Sequence, residues 1–487
     1  MFALKKLKIR GVIFTLVPSL FIGCGEPVPV ACAPDAEVCS EETQGGFETG
    51  TAAGIAAGAA AVLALAAGGT SGGGGSSGSS GSTTSTALTT KWTKQIGTSA
   101  NEYGDEVTTD KNGNVYVTGS TGGNLGTTNA GNWDVFLVKY NSSGVRQWTR
   151  QVGTSSEDRS ASVATDSSGN AYVTGWTAGS LSGFNAGEFD GLLIKYSSSG
   201  VRLWTRQVGT SSEDGFNHIA IDSSDNIYVA GWTEGGLGGN LSSGESDLLL
   251  IKYDSSGSRQ WTHQFGTSSG ESVYEMAIDF ADNIYLTGYT RGNLDGNANA
   301  GEVDIFLVKY SSSGVRQWTR QYGTSSNEAA SGIGTDSSGN IYIAGRTEGG
   351  LSFYSNSGGD DIFLIKYSSS GVRQWIRQLG TSSDDAVRGL TVDAADNVYL
   401  AGLTVGSLSG LNAGEDDAFL IKYNSSGSRQ WTRQFGTSSD DWANMVTINS
   451  SGDLLVTGGT EGNLDGNSNS GGSDIFLVKF DIDGNRQ

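Results

Sequence analysis

A tryptophan recurs seven times at a spacing of 56 or 57 residues, and this period limits the possible folds more than any other feature of the chain. The copies run from Lys91 to the C-terminus, at position 487. Such a period indicates a repeat architecture in which each copy forms one supersecondary unit. The recurring residues are Trp92, Trp148, Trp204, Trp261, Trp318, Trp375 and Trp431.

Each copy contains four short runs with the composition of β-strands. In the second copy they cover 162–165, 171–175, 192–196 and 202–207. The segments that join the first two runs and the last two runs are rich in Ser, Gly, Asp and Asn, a turn composition. Four antiparallel strands per copy make one blade of a β-propeller.

The two ends of the repeat region are offset by one strand. The region opens with a lone fourth strand at Lys91–Gln95 and stops at Gln487, where the next tryptophan is due. Seven first strands and seven fourth strands result. We therefore predict an all-β fold for 91–487: a seven-bladed β-propeller of four-stranded antiparallel blades, closed by the N-terminal strand completing the last blade. Such closure leaves no open sheet edge.

Two motifs carry a resemblance to a known repeat. Asp-x-x-Gly-Asn-x-Tyr-Val-x-Gly occurs at 110–119 and 166–175, and Asp-x-Phe-Leu-Val-Lys-Tyr follows at 134–140 and 304–310. These residues resemble the bacterial β-propeller repeat family known as SBBP. The resemblance implies the propeller fold and exported proteins, and it implies little about activity.

The N-terminus has the pattern of an export signal. Basic residues precede an apolar stretch at 11–23, so residues 1–23 are interpreted as a signal peptide. The sequence ending in Gly23-Cys24 resembles the lipobox of bacterial lipoproteins, although Phe21 stands where the commonest pattern has Leu. That resemblance implies acylation of Cys24, by palmitate or a similar chain, and attachment to the membrane. The expected location is the cell envelope, as an outer-membrane lipoprotein that could be exposed at the surface. An ordinary signal peptide followed by an unrelated cysteine is the alternative.

Residues 24–90 are interpreted as a lipidated tether. The uncharged Ala/Gly-rich segment 51–70 is long enough to span a membrane as a helix and could equally be a spacer. The Gly/Ser-rich segment 71–90 is a flexible linker with an end-to-end distance of about 25 Å. Cys32 and Cys39 could form a disulfide or stay free.

Charge and composition exclude some partners. The net charge of −21 argues against nucleic acid as a partner, because phosphate binding needs a basic surface. It is compatible with cations and with neutral ligands such as glycans. Only His218 and His263 are histidines, which argues against a His-rich zinc site and against a Ser-His-Asp triad.

Two acidic positions are shared by all seven copies. They could form a ring of carboxylates for Ca²⁺, or each could cap a turn or pair with the lysine of its own blade. We favour the second interpretation, because a feature of every copy is what a blade needs to fold. The acids before the first strands are Glu102, Asp158, Asp214, Glu271, Glu328, Asp385 and Asp441, and those before the third strands are Asp134, Asp190, Asp247, Asp304, Asp361, Asp417 and Asp474. Ca²⁺ is otherwise a weak possibility at Asp481 and Asp483.

Positions that differ between near-identical copies are more informative about ligands. The residue after the glycine that ends the second strand is Ser120, Trp176, Trp232, Tyr289, Arg346, Leu403 or Gly459. Aromatic residues on consecutive blades suggest a stacking surface for a sugar or a peptide. Packing beside the next blade is the alternative.

The first strands should line the central channel, and their opening residues also vary. This zone contains Tyr103, Arg159, Phe216, His218, Tyr274, Glu275, Arg388, Trp442 and Met445. Such a mixture suits a site at the channel mouth, although sequence drift would produce it equally well. We name Trp176, Trp232, Tyr289, Arg346, Phe216, His218, Tyr274 and Trp442 as candidate ligand-binding residues.

The sequence therefore predicts a non-catalytic binding or scaffold module of the cell envelope, with a glycan or protein ligand and no cofactor. One alternative is a carbohydrate-active hydrolase or lyase, in which Glu275 works with Asp105 or Glu106 at the channel mouth. Another is a structural protein of envelope assembly.

Overall fold

The computed structural model describes residues 92–410 and 412–487, which form seven four-stranded antiparallel sheets. The predicted propeller is confirmed in blade number, strand number and strand order. The signal peptide, Cys24, the cysteines at 32 and 39, and the segments 51–70 and 71–90 lie outside the described residues.

The strands follow one another regularly along the chain. Strand β1 spans Thr93–Ile96. Blade 1 contains β2 (Glu102–Thr109), β3 (Val115–Thr121), β4 (Asp134–Tyr140) and β5 (Arg146–Val152). Blade 2 contains β6 (Asp158–Thr165), β7 (Ala171–Thr177), β8 (Asp190–Tyr196) and β9 (Arg202–Val208). Blade 3 contains β10 (Asp214–Ile221), β11 (Ile227–Thr233), β12 (Asp247–Tyr253) and β13 (Arg259–Phe265).

The second half repeats this plan. Blade 4 contains β14 (Glu271–Ile278), β15 (Ile284–Thr290), β16 (Asp304–Tyr310) and β17 (Arg316–Tyr322). Blade 5 contains β18 (Glu328–Thr335), β19 (Ile341–Thr347), β20 (Asp361–Tyr367) and β21 (Arg373–Leu379). Blade 6 contains β22 (Asp385–Val392), β23 (Val398–Thr404), β24 (Asp417–Tyr423) and β25 (Arg429–Phe435). Blade 7 contains β26 (Asp441–Ile448), β27 (Leu454–Thr460), β28 (Asp474–Phe480) and β1. Single 3₁₀ turns lie at Leu294–Gly296 and Leu464–Gly466.

The first strand of each blade is the innermost one. Strands β2, β6, β10, β14, β18, β22 and β26 each contact the first strand of the next blade, and β26 contacts β2. These seven strands therefore form a closed inner ring around the central channel, as predicted from the sequence.

The N-terminal strand closes the circle. Strand β1 pairs antiparallel with β28, from Thr93 opposite Val478 to Ile96 opposite Ile475. The amide of Trp92 donates to the carbonyl of Gln487, and the amide of Lys479 donates to the carbonyl of Trp92 at 3.2 Å. The start of the described residues and the C-terminal residue thus belong to one blade.

Hydrophobic clusters lie between neighbouring blades. One of them joins Tyr116 of blade 1 to Val163 of blade 2. The recurrent tryptophan belongs to the same interface: Trp148 packs edge-on against Tyr116 and covers Gly200, a turn residue of the next blade with a φ of 81°. A Cβ at Gly200 would lie 2.9 Å from the indole, so this turn needs glycine for both reasons. The interpretation of the tryptophan as an inter-blade packing residue is confirmed.

The repeated lysine pairs with a different acid from the one predicted. Lys195 lies 3.5 Å from Asp166, the aspartate of the turn between the first two strands, rather than beside Asp190. Strand direction explains the error, because Asp190 begins β8 and Lys195 stands near its other end. The ammonium also donates to the carbonyl of Ser255 in the next blade at 3.1 Å, so it links neighbouring blades.

Within 92–410 and 412–487, we find no helix with the length and apolar character needed to cross a membrane.

Candidate functional site at the channel mouth

One face of the propeller, which we call the upper face, collects the variable positions. The first and third strands of each blade begin there, and the second and fourth strands end there. The long loops between second and third strands lie on this face. The short turns lie on the opposite, lower face.

The acid that begins each first strand is part of the framework. The carboxylate of Asp158 accepts hydrogen bonds from the amide of Thr154 at 2.6 Å and from its hydroxyl at 2.9 Å, and it also accepts one from the hydroxyl of Thr177. It therefore caps the turn that enters the strand, which is one of the two structural roles expected for it. Burial and the neighbouring carboxylate of Asp134 raise the pKa of Asp158.

The acid that begins each third strand holds the base of the upper loop. Asp134 Oδ2 accepts from the amide of Ala130 at 3.0 Å and from the side-chain amide of Gln151 at 2.9 Å. The Gln151 carbonyl oxygen in turn accepts from the loop amides of Leu125 and Gly126. The other oxygen, Oδ1, is buried and has no hydrogen-bond partner among the described residues, and the same is true at Asp190, Asp247, Asp304, Asp361, Asp417 and Asp474.

Six side chains form a continuous array on the upper face, which we call the aromatic rim. All are half-buried, so each keeps part of its surface open to solvent. Neighbouring members are in contact or directly opposite each other across a strand pair. The rim runs over blades 7, 1, 2 and 3 through Trp442, Tyr103, Trp133, Arg159, Trp176 and Trp232.

The distances within the rim are those of ring packing. The ring of Tyr103 stacks on Trp133 at 5.2 Å between centroids and lies 6.0 Å from Trp442. The Arg159 guanidinium sits 3.7 Å from the Trp133 centroid, a cation–π contact. The residue opposite Arg159 on the next strand is Trp176, and Trp176 meets Trp232 edge-on at 5.6 Å.

Three other candidates for a ligand surface are placed differently. Tyr289 is 6% exposed and packs edge-on against Tyr274, which is 8% exposed, at 5.3 Å. Arg346 pairs with Asp360 at 2.6 Å. The solvent-accessible aromatic residues therefore do not continue onto blade 4, and the aromatic rim extends instead over blades 1 and 7.

Phe216 is corrected from a channel-lining residue to a core residue. It is fully buried, and its ring fills the space beside Gly191 of blade 2, where a Cβ would lie 2.7 Å from it. The reason is a β-bulge between Phe216 and His218. Strict alternation would place both side chains on one face of the sheet, but the extra residue, Asn217, sends them to opposite faces.

His218 lies between two glutamates inside the channel. Its Nε2 atom is 2.8 Å from Glu275 Oε1 and 3.6 Å from Glu106 Oε1. The three residues come from blades 3, 4 and 1 and are 7%, 4% and 4% exposed, respectively. Burial alone would lower the pKa of His218, but the two carboxylates outweigh burial and raise this pKa to about 10. Among the described residues, this is the one group of three or more potential metal ligands found close together.

Asp105, the other partner considered for Glu275, contacts blade 2. Its carboxylate accepts from the hydroxyl of Ser160 on blade 2 at 2.8 Å. The weak metal candidate Asp481 accepts from the amides of Asp483 and Asn485, as the acceptor of its own turn, and Asp483 is exposed. Neither Asp481 nor Asp483 belongs to a group of potential metal ligands in the described part of the chain.

Trp133, the centre of the rim, is absent from the residues predicted for the site. It precedes the shared acid of the third strand, a position that holds Trp133, Phe189, Ser246, Val303, Asp360, Asp416 or Ser473 in the seven copies. This variation is a signal that a comparison of copies at that column could have found. The pairing of His218 with both glutamates had no such signal, since it depends on where the bulges put each side chain.

A family model described as a β-propeller repeat (SBBP) matches residues 91–126, 147–181, 203–238, 260–295, 317–351 and 374–408. Six of the seven copies are therefore SBBP repeats. The model does not match the seventh copy, which has Asn449, Asp453 and Leu455 where the other copies have Asp, Asn and Tyr.

Two curated proteins resemble the SBBP region at the sequence level. The regulatory protein FlaEY of Caulobacter vibrioides is 25% identical over 339 residues, which cover 61% of this chain and 35% of that protein. An uncharacterized WD repeat-containing protein, L264 of Acanthamoeba polyphaga mimivirus, is 24% identical over 228 residues, or 37% of this chain and 16% of that protein. The chain therefore spans about a third or less of these relatives.

Two solved structures are similar to this chain at low identity. The polysaccharide lyase Uly1 is 13% identical with a TM-score of 0.46, and the match covers 78% of this chain and 90% of that one. YCF48 bound to a D1 peptide is 9% identical with a TM-score of 0.43, over 80% and 97% of the two chains.

Proposed function

We propose that this protein is a non-catalytic binding module of the cell envelope that holds its ligand on the aromatic rim. The single observation that supports the proposal is the position of the variable residues. Side chains common to all copies build the turns and blade interfaces, whereas Trp442, Tyr103, Trp133, Trp176 and Trp232 differ from their counterparts and come together on one face.

The chemistry of the rim favours a glycan as the ligand. Half-buried aromatic faces offer apolar area at fixed positions, and a sugar ring can stack on such a face while its hydroxyls stay hydrated. Glu234 follows Trp232 by two residues, and partial desolvation together with the carboxylate of Glu213 raises its pKa. A negatively charged polysaccharide is therefore disfavoured, and a neutral one is favoured.

Attachment to the envelope is a separate part of the proposal. It depends on Cys24 and its lipobox-like context, and the linker at 71–90 would hold the propeller away from the membrane. A protein ligand, a carbohydrate-active enzyme and an assembly scaffold are the alternatives to the glycan-binding module.

The test is a glycan array probed with the purified full chain, with an array of envelope and matrix proteins in parallel. We expect Trp176→Ala and Trp232→Ala each to weaken the glycan signal at least tenfold, because each removes one wall of the rim. Phe280→Ala is the matched control: this phenylalanine is 88% exposed in a lower-face turn and should not affect binding.

Each alternative gives a different result. Binding that persists in both tryptophan variants removes the rim from consideration. A signal confined to the protein array would show that the ligand is a protein and not a glycan. Release of shortened glycan that stops in Glu275→Gln identifies an enzyme, and a defined oligomer by light scattering without any ligand identifies an assembly protein.

A further inference from the structure

We propose that Glu106, His218 and Glu275 form a binding site for one divalent transition-metal ion inside the central channel. The proposal does not depend on the aromatic rim or on its ligand. It starts from the composition of the inner ring of strands and from two buried atoms that have no hydrogen-bond partner in the described part of the chain.

These residues occupy the same position on their strands. The position follows the bulge of each first strand, and it holds Glu106, Ser162, His218, Glu275, Gly332, Gly389 or Met445 around the ring. Serine, glycine and methionine at the other four copies show that a blade folds without an ionisable side chain here. The two glutamates and the histidine are therefore not part of the repeat framework.

The geometry suits an ion. One potential ligand atom from each of the three residues lies within 4.8 Å of the other two, and each of these residues is more than nine-tenths buried. Two polar atoms in the cluster, Glu106 Oε2 and His218 Nδ1, are buried without a hydrogen-bond partner among the described residues. Buried polar groups without partners are costly, and a ligand or ordered water commonly supplies the missing contact.

Charge points the same way. Two carboxylates, a neutral imidazole and a divalent ion together carry no net charge, which suits a buried site. Imidazole and carboxylate together form the ligand set of Zn²⁺ and related ions, while Mg²⁺ and Ca²⁺ prefer oxygen ligands alone.

Zn²⁺ is the probe for the test. The full chain is prepared with its three cysteines changed to serine, so that Cys24, Cys32 and Cys39 cannot bind the metal, and it is stripped with a chelator. We expect one Zn²⁺ per chain by calorimetry and elemental analysis. Glu106→Gln, His218→Gln and Glu275→Gln should each weaken binding at least tenfold, since loss of even an outer-shell partner costs about 10–100-fold in metal affinity.

Two control variants are available in the same chain. His263→Ala removes the only other histidine, on an outer strand, and Glu302→Gln removes an exposed carboxylate of an upper loop. Both should bind Zn²⁺ like the parent. X-ray absorption of the Zn²⁺-loaded parent should show one imidazole and oxygen ligands, a result that needs no variant to fold. No bound Zn²⁺, a spectrum without imidazole, or unchanged binding in a folded His218→Gln variant would overturn the proposal.

Discussion

Asp166 shows how much one side chain contributes to a blade. Its Oδ1 atom accepts from the amides of Ser168 and Asn170. Its Oδ2 atom accepts from the side chains of Asn170 at 2.7 Å and Tyr172 at 3.0 Å, with the Lys195 ammonium at 3.5 Å. The same ammonium lies 4.7 Å from the Tyr172 ring centroid. One carboxylate therefore fixes the turn, the second strand and the third strand.

Replacing this carboxylate should be costly. In Asp166→Asn, an NH₂ group would face two donors, and Lys195 would keep a mostly buried charge without its counterion. We expect a loss of about 2–3 kcal/mol in the free energy of unfolding, as for a hydrogen bond to a charged group, measured by urea denaturation.

Asp481→Asn is the matched control. Asp481 holds a comparable turn on the lower face, at a position where other copies have Asn141 or Asn424. Its loss should be under about 1 kcal/mol, the scale of an ordinary hydrogen bond. Equal losses in the two variants would contradict the special role of Asp166.

At the scale of the element, the strands and their order could be predicted because every copy repeats the same turns and apolar runs. The candidate site could be predicted only in part. Each first strand has eight residues, whereas every other blade strand except the four-residue β1 has seven. The bulge that accommodates the extra residue changes which face of the sheet the later residues of the strand point to. That reversal put Phe216 in the core and His218 beside Glu275, and no residue pattern within a copy announces it.

Strand β1 gives the prediction that belongs to this scale. A chain that starts at residue 97 would lack β1 and leave β28 as an open sheet edge, which promotes association between chains. A chain that starts at residue 86 keeps β1 and is the control. We expect the shorter chain to melt about 5–10 °C lower, since each kcal/mol lost shifts the melting temperature by a few degrees, and to elute partly as aggregates in size-exclusion chromatography. Equal melting temperatures and monomeric elution would show that β1 is dispensable for closure.

At the scale of the whole molecule, seven blade junctions repeat one electrostatic arrangement. Burial, with the neighbouring third-strand aspartate, raises the pKa of the acid that begins each first strand, at Glu102, Asp158, Asp214, Glu271, Glu328, Asp385 and Asp441. Turn aspartates behave in the opposite way: burial opposes their ionisation, but hydrogen bonds outweigh it and lower the pKa of Asp166, Asp222, Asp279 and Asp336.

These shifts predict an acidic optimum of stability. Between the ordinary carboxyl pKa of about 4 and the raised values, the folded chain binds more protons than the unfolded chain, so stability falls as pH rises through that window. Below about pH 4 the turn aspartates have the reverse effect, because their lowered pKa values make the unfolded chain bind the extra protons. The melting temperature should therefore be higher near pH 5 than at pH 8 and should fall again toward pH 3. Repulsion within a chain of net charge −21 also lowers stability as pH rises above 5. The two causes can be separated with 1 M NaCl, because salt screens exposed charges far more than buried pairs. His218, which is buried and has its pKa raised to about 10 by two carboxylates, also lowers stability as pH rises above about 6.5. A pH dependence that survives both 1 M NaCl and His218→Gln therefore assigns the effect to the blade junctions, and one that vanishes in 1 M NaCl assigns it to the surface.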